Sequence, residues 1–161
     1  MKTTKLFYVL ELLLKIAIII SLLGMVLLVF LNATMRYFFG GGIAESEELA
    51  RYLFIWTVFL GSIIAFKNNM HMGVTLVVDK LSGLSKKIFV TIAHLLSFFA
   101  VYIVFQGGLI FTQTVGGTES PSTGLPLSVY TVSIIFTSVC IGLIIIYRII
   151  TLWTTKEQGE N

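Results

Sequence analysis

The sequence predicts an all-α integral membrane protein: four transmembrane helices, both termini cytoplasmic, and an amphipathic interfacial helix between helices two and three. Of its 161 residues, 57% are hydrophobic and only 12% charged. With a mean hydropathy of +0.97, this is no soluble domain. Four apolar stretches, 15–35, 49–66, 88–110 and 127–150, match the roughly 20 residues that carry a helix across about 30 Å of hydrocarbon. Barrel strands would alternate over about ten residues. These runs are continuous, so each satisfies its backbone hydrogen bonds internally as a helix of a single domain, 1–161.

The first stretch follows Lys2 and Lys5 but is no secretory signal. It far exceeds the usual run of roughly 7 to 15 apolar residues and lacks an A-x-A cleavage site. Its opening turns, Leu6 to Lys15, are more amphipathic, with Glu11 and Lys15 four residues apart. They are expected to lie in the membrane interface before the chain enters the bilayer.

Between the second and third stretches, Val74, Val77, Leu81, Leu84 and Ile88 recur at steps of three and four, with Thr75, Asp79, Lys80, Ser82, Lys86 and Lys87 between them. This is the period of an amphipathic helix, about 74–87, lying on the membrane with Lys80, Lys86 and Lys87 meeting phospholipid headgroups. The only Pro/Gly-rich segment, Gly116 to Pro126, precedes the fourth stretch and reads as a structural turn, with Pro126 in the first turn of that helix. Isolated Gly24, Gly61 and Gly142 read as close-packing points between helices. Cys140 is the single cysteine, so no intramolecular disulfide can form and a thiol–disulfide relay is excluded.

Lys2, Lys5, Lys15, Lys67, Lys80, Lys86, Lys87, Arg148 and Lys156 fall on one side of this topology; only Arg36 and Arg51 fall on the other. The positive-inside rule therefore places both termini and the middle loop in the cytoplasm. The net charge of +3 reflects this topology and attraction to anionic lipid, with no need of nucleic acid.

A polar cluster lies between the first two stretches: Asn32, Arg36, Glu45, Glu47, Glu48 and Arg51, with Trp56 beyond. Charges near hydrocarbon cost roughly 2.5 to 3.5 kcal/mol each at a helix centre, so several together imply paired partners. Ser46 is the expected N-cap of the second helix, and Glu47 and Glu48 complement its dipole. Either acid can reach Arg51, at i,i+4 or i,i+3, and Arg36 returns on the hairpin to pair with the remaining carboxylate. Arg36, Glu48 and Arg51 are thus expected to lock helices one and two. Trp56 is expected at packing depth, and Tyr37, Tyr52 and Trp153 in the interfacial belts.

Asn32-x-x-x-Arg36-Tyr37, Glu48-Leu49-Ala50-Arg51, Trp56, Leu60-Gly61, His71, Leu81 and the turn from Pro121 to Pro126, in this order, resemble the small membrane subunit of tripartite ATP-independent periplasmic (TRAP) transporters. The resemblance runs from about Asn32 into the fourth stretch. It implies a non-catalytic subunit of the bacterial inner membrane that binds a large membrane subunit one to one. In such systems a periplasmic substrate-binding protein captures an organic anion, such as sialic acid or a C4-dicarboxylate. The large subunit imports it with sodium by an elevator motion, and the small subunit widens the static scaffold. Structural or interface roles are carried over to Asn32, Arg36, Glu48, Arg51, Trp56 and His71 alone. Where the family has an acid shortly after the histidine, this chain has Thr75, with Asp79 the nearest substitute.

Two other classes meet the composition. A haem-binding membrane anchor of an oxidoreductase would use His71 and His94, the only histidines, as axial ligands. A Soret band in the purified protein would mark it. A self-sufficient four-helix exporter needs a membrane-embedded carboxylate, and no Asp or Glu falls mid-helix here. Enzymatic chemistry has no support: no nucleophile with a base, no metal cluster and no phosphate-binding glycine loop is present, and no cofactor is expected beyond the haem alternative.

Overall fold

A computed structural model of the chain describes residues 2–69 and 83–154. Four helices make up the fold: α1 (Lys2–Phe39), α2 (Ala44–Asn69), α3 (Gly83–Val115) and α4 (Ser128–Thr154). All four are long and apolar enough to cross a membrane. Each exceeds its apolar stretch, because backbone hydrogen bonding continues through the polar flanks that a hydropathy boundary cuts off. The expected interfacial segment Leu6 to Lys15 is not separate; it is the opening of α1, whose 38 residues extend about 57 Å. Such a helix overshoots the hydrocarbon and must tilt or enter both interfaces. His71, Asp79, Lys80 and most of the expected 74–87 helix lie outside the described residues, while Lys86 and Lys87 belong to the start of α3.

Helix α1 meets α2 along a narrow stripe. Its less exposed positions include Glu11, Leu14, Ile18, Ser21, Met25, Leu28 and Asn32, spaced alternately by three and four. This alternation of three and four is the spacing of a coiled-coil seam. At Gly24 an added Cβ would lie 3.0 Å from Leu53 Cδ1, so the Leu53 side chain would have to shift to admit it. Gly61, expected as a packing point, instead faces open space within 4 Å.

Contacts join α1 to α2, α2 to α4 and α4 to α3, so the helices stand in the order α1–α2–α4–α3. The centre of this row holds the core: Leu60 and Ile63 of α2 against Ile141 and Ile145 of α4, with Trp56 and Cys140 packed around them. Buried Thr131, Ser133 and Ser138 of α4 return their hydroxyls to carbonyls of their own helix, which satisfies them while their small size admits close neighbours. None of the apolar window of α1 is buried, against 39% of that of α4. The flank helices therefore leave most of their apolar surface to lipid or to another protein.

Candidate functional site

Two polar assemblies stand at opposite ends of the helices. The first is built on the α1–α2 hairpin, which turns through Gly40 at φ 71°, a conformation glycine adopts without Cβ strain. Asn32, 6% exposed, accepts the Ile43 N–H on Oδ1 at 2.7 Å and donates Nδ2 to Glu47 Oε1 at 2.9 Å. Arg36 Nη2 donates to the same carboxylate oxygen at 2.6 Å. One side chain of α1 thus satisfies a backbone donor at the start of α2 and steers the carboxylate that pairs with Arg36.

This arrangement revises the expected pairing. Arg36 bonds Glu47, whereas Glu48, 9% exposed, accepts the Thr123 N–H on Oε2 at 2.9 Å and so holds the α3–α4 loop. Arg51 is exposed and makes no ion pair among the described residues. A lock made by Arg36, Glu48 and Arg51 is therefore replaced by one made by Asn32, Arg36 and Glu47. Helical spacing on α2 alone allowed either acid; the rotation of α2 against α1 decides between them. Ser46 is not the N-cap either, since α2 begins at Ala44 and the Ile43 carbonyl accepts from Ser46 N. Its buried hydroxyl crosses instead to the Leu28 carbonyl at 2.9 Å.

The loop between α3 and α4 is a short hairpin, with an antiparallel bridge between Glu119 and Pro126 and Gly124 at φ 67°. Pro126 precedes α4, which starts at Ser128, and offers its carbonyl to Val129 N at 3.1 Å. Tyr52 is buried against the loop: its ring stacks on Tyr130 at 4.0 Å, and its hydroxyl reaches the Leu125 carbonyl at 3.4 Å. Tyr52 lies one turn beyond Glu48, so one face of α2 carries both loop anchors. A cleft lined by Glu47, Glu48, Arg51, Ser122 and Tyr130 opens between α2 and this loop.

The opposite assembly joins three helices. Glu11 of α1 bonds Lys15 at 2.8 Å and Lys67 of α2, while Arg148 of α4 donates Nη2 to the Lys67 carbonyl. Only the Glu11–Lys15 spacing was readable beforehand. A second signal was present in Arg148, a lone cation near the end of an apolar run. Trp153, exposed, donates Nε1 to Thr91 Oγ1 at 3.2 Å and ties α4 to α3. His94 is buried, with Nδ1 2.7 Å from the Val90 carbonyl of its own helix.

Residues 25–155 match the family model of the tripartite ATP-independent periplasmic transporters, DctQ component. The chain belongs to this family. It is also similar to two TRAP transporter small permease proteins of Haemophilus influenzae. One is 34% identical over 142 residues, covering 88% of each chain. The other is 28% identical over 143 residues, covering 89% of this chain and 86% of the relative. The matched region contains the hairpin clamp, the loop anchors and the core of the row; Glu11 and Lys15 lie before it. This is a small membrane component of a TRAP transporter.

Proposed function

We propose that the chain is the non-transporting scaffold subunit of an importer that carries an organic anion, sialic acid or a C4-dicarboxylate, with sodium. It binds the large membrane subunit one to one in a bacterial inner membrane, with both termini cytoplasmic. The carrying observation is a helical row cross-linked at both ends, whose flank helix α1 leaves its apolar window uncovered. Rigid ends and open sides suit a helix row that borrows a neighbour for its lateral burial. The four apolar stretches contain no Asp or Glu, so this chain offers no acidic ion site near the midplane.

On this reading the hairpin end is periplasmic. Arg36, Glu47 and Asn32 hold its shape, Glu48 fixes the loop, and exposed Arg51 faces the large subunit or the substrate-binding protein. Trp56 wedges the core, His71 serves the opposite interface, and Lys80, Lys86 and Lys87 meet phospholipid headgroups. Purification of the tagged chain in mild detergent tests the assembly: the TRAP large subunit should co-elute at one to one. A stable homo-oligomer lacking it would overturn the proposal. Cysteines placed at Gly41 and near the C-terminus test the orientation, and only the former should react with an impermeant maleimide in intact spheroplasts.

A further inference from the structure

Beside the hairpin clamp, α1 and α2 enclose an open groove of about 570 Å³ lined by Val29, Asn32, Ala33, Arg36, Glu47 and Ala50. Its polar end holds an ion pair that is far from buried: the side chains of Arg36 and Glu47 are 64% and 51% exposed. Glu47 uses Oε1 for both Asn32 and Arg36, and its Oε2 accepts no hydrogen bond among the described residues. Arg36 likewise donates only through Nη2 there. One acceptor and several guanidinium donors are therefore presented side by side at the end of a membrane-spanning hairpin.

The apolar end has a direction. Leu22, Val26, Val29 and Ala33 follow at steps of four, three and four on one face of α1, and all are exposed. From Leu22 to Ala33 this track runs about 16 Å, close to half of the roughly 30 Å hydrocarbon core. Arg36 continues it one turn further, and the groove floor at Ala33 and Ala50 is made of methyl groups. A charged pair at one end and an apolar track one leaflet deep at the other match the two ends of a phospholipid.

We propose that this groove binds a phospholipid with a zwitterionic, primary-amine headgroup, of the phosphatidylethanolamine class. Its phosphate accepts from the free guanidinium donors of Arg36, its ammonium donates to Glu47 Oε2, and one acyl chain follows Leu22 to Ala33. The charges of pair and headgroup cancel, so no net charge enters the interface. A protein helix would have to bring an opposite ion pair at the same spacing, whereas every such lipid carries one. The lipid completes the clamp by covering its exposed side. The inference rests on the membrane placement of α1 and α2, and is independent of which large subunit binds.

The test is native mass spectrometry of the full chain, alone and in complex with its co-purified large subunit, after exchange into dioleoyl phosphatidylethanolamine, phosphatidylcholine or phosphatidylglycerol. Phosphatidylethanolamine should be retained about tenfold better than the other two, since a methylated or absent amine cannot donate to Glu47. Ala33→Trp fills the groove without touching the clamp and should lower that retention about tenfold. Val29→Trp repeats the test at a second exposed position, so a misfolded first variant leaves the outcome decidable. Equal retention of the three lipids, or unchanged retention in a folded groove-filling variant, would overturn the site. So would a complex that retains no lipid and loses its large subunit on Ala33→Trp, which would identify a protein occupant. Lipid loss with the large subunit still bound at one to one would confirm the groove as a lipid site separate from the subunit contact.

Discussion

At the α1–α2 hairpin, buried Asn32, Ser46 and Glu48 each meet a backbone group directly, and only the outer Arg36–Glu47 pair faces the surroundings. At the other end, Glu11 gathers two lysines whose side chains are 51% and 41% exposed. The first is a set of short, largely desolvated bonds; the second is a partly exposed ionic knot. A buried polar group costs its full desolvation when its partner is lost, whereas an exposed ion pair is replaced by water. Stability and loop geometry should therefore depend on the hairpin end, and the opposite end should respond mainly to salt.

The largest effect is expected at Asn32. Asn32→Leu strands the Ile43 N–H and leaves the Glu47 carboxylate held by Arg36 alone, and should cost about 3 kcal/mol in detergent unfolding. A loss no larger than that of Lys15→Gln would break the contrast between the ends. Next comes Glu48→Leu, which removes the acceptor of Thr123 N. It should cost about 2 kcal/mol and speed proteolysis between Gly116 and Leu127, with the α1–α2 hairpin unaffected. If the loop is cleaved no faster, the Glu48 contact does not hold it.

Lys15→Gln should have a smaller effect, because Glu11 keeps Lys67 and the removed ammonium was half in solvent. Its unfolding difference from wild type should vanish near roughly 1 M salt, where the Debye length falls to about 3 Å. The Asn32→Leu difference should persist there. A salt-insensitive Lys15 effect would show that this knot is as desolvated as the hairpin.

The spans were legible because about 20 continuous apolar residues have few other physical uses. Their ends were not, since helix termini depend on partners such as Asn32, a cap for α2 that sits on α1. That Arg36 would pair across the hairpin could be read from its return to the same depth; the choice of Glu47 could not. Neighbouring residues on a helix point about 100° apart. Glu48 is thereby aimed at Thr123, 75 positions away, and no local spacing encodes that contact. The Glu11–Lys67–Arg148 knot was missed for the same reason, as its members come from three helices.

The smallest effect on stability is expected at Arg51, and it sharpens the comparison most. Exposed on the cleft beside the loop and without an ion pair among the described residues, Arg51 contributes little to holding the hairpin. Arg51→Gln should leave unfolding within about 0.5 kcal/mol of wild type. If it instead serves docking, its effect belongs to association: a charge at the rim of an interface acts chiefly on the encounter rate and its salt dependence. Surface-immobilised complex in nanodiscs, probed with the substrate-binding protein at several ionic strengths, should show slower association for Arg51→Gln at low salt. The difference from wild type should shrink as salt rises, with dissociation nearly unchanged. An unfolding defect comparable to Glu48→Leu would make Arg51 part of the clamp. Equal association rates at every ionic strength would remove it from the docking surface, leaving the cleft shaped by Glu48 and Tyr130 alone to account for any contact there.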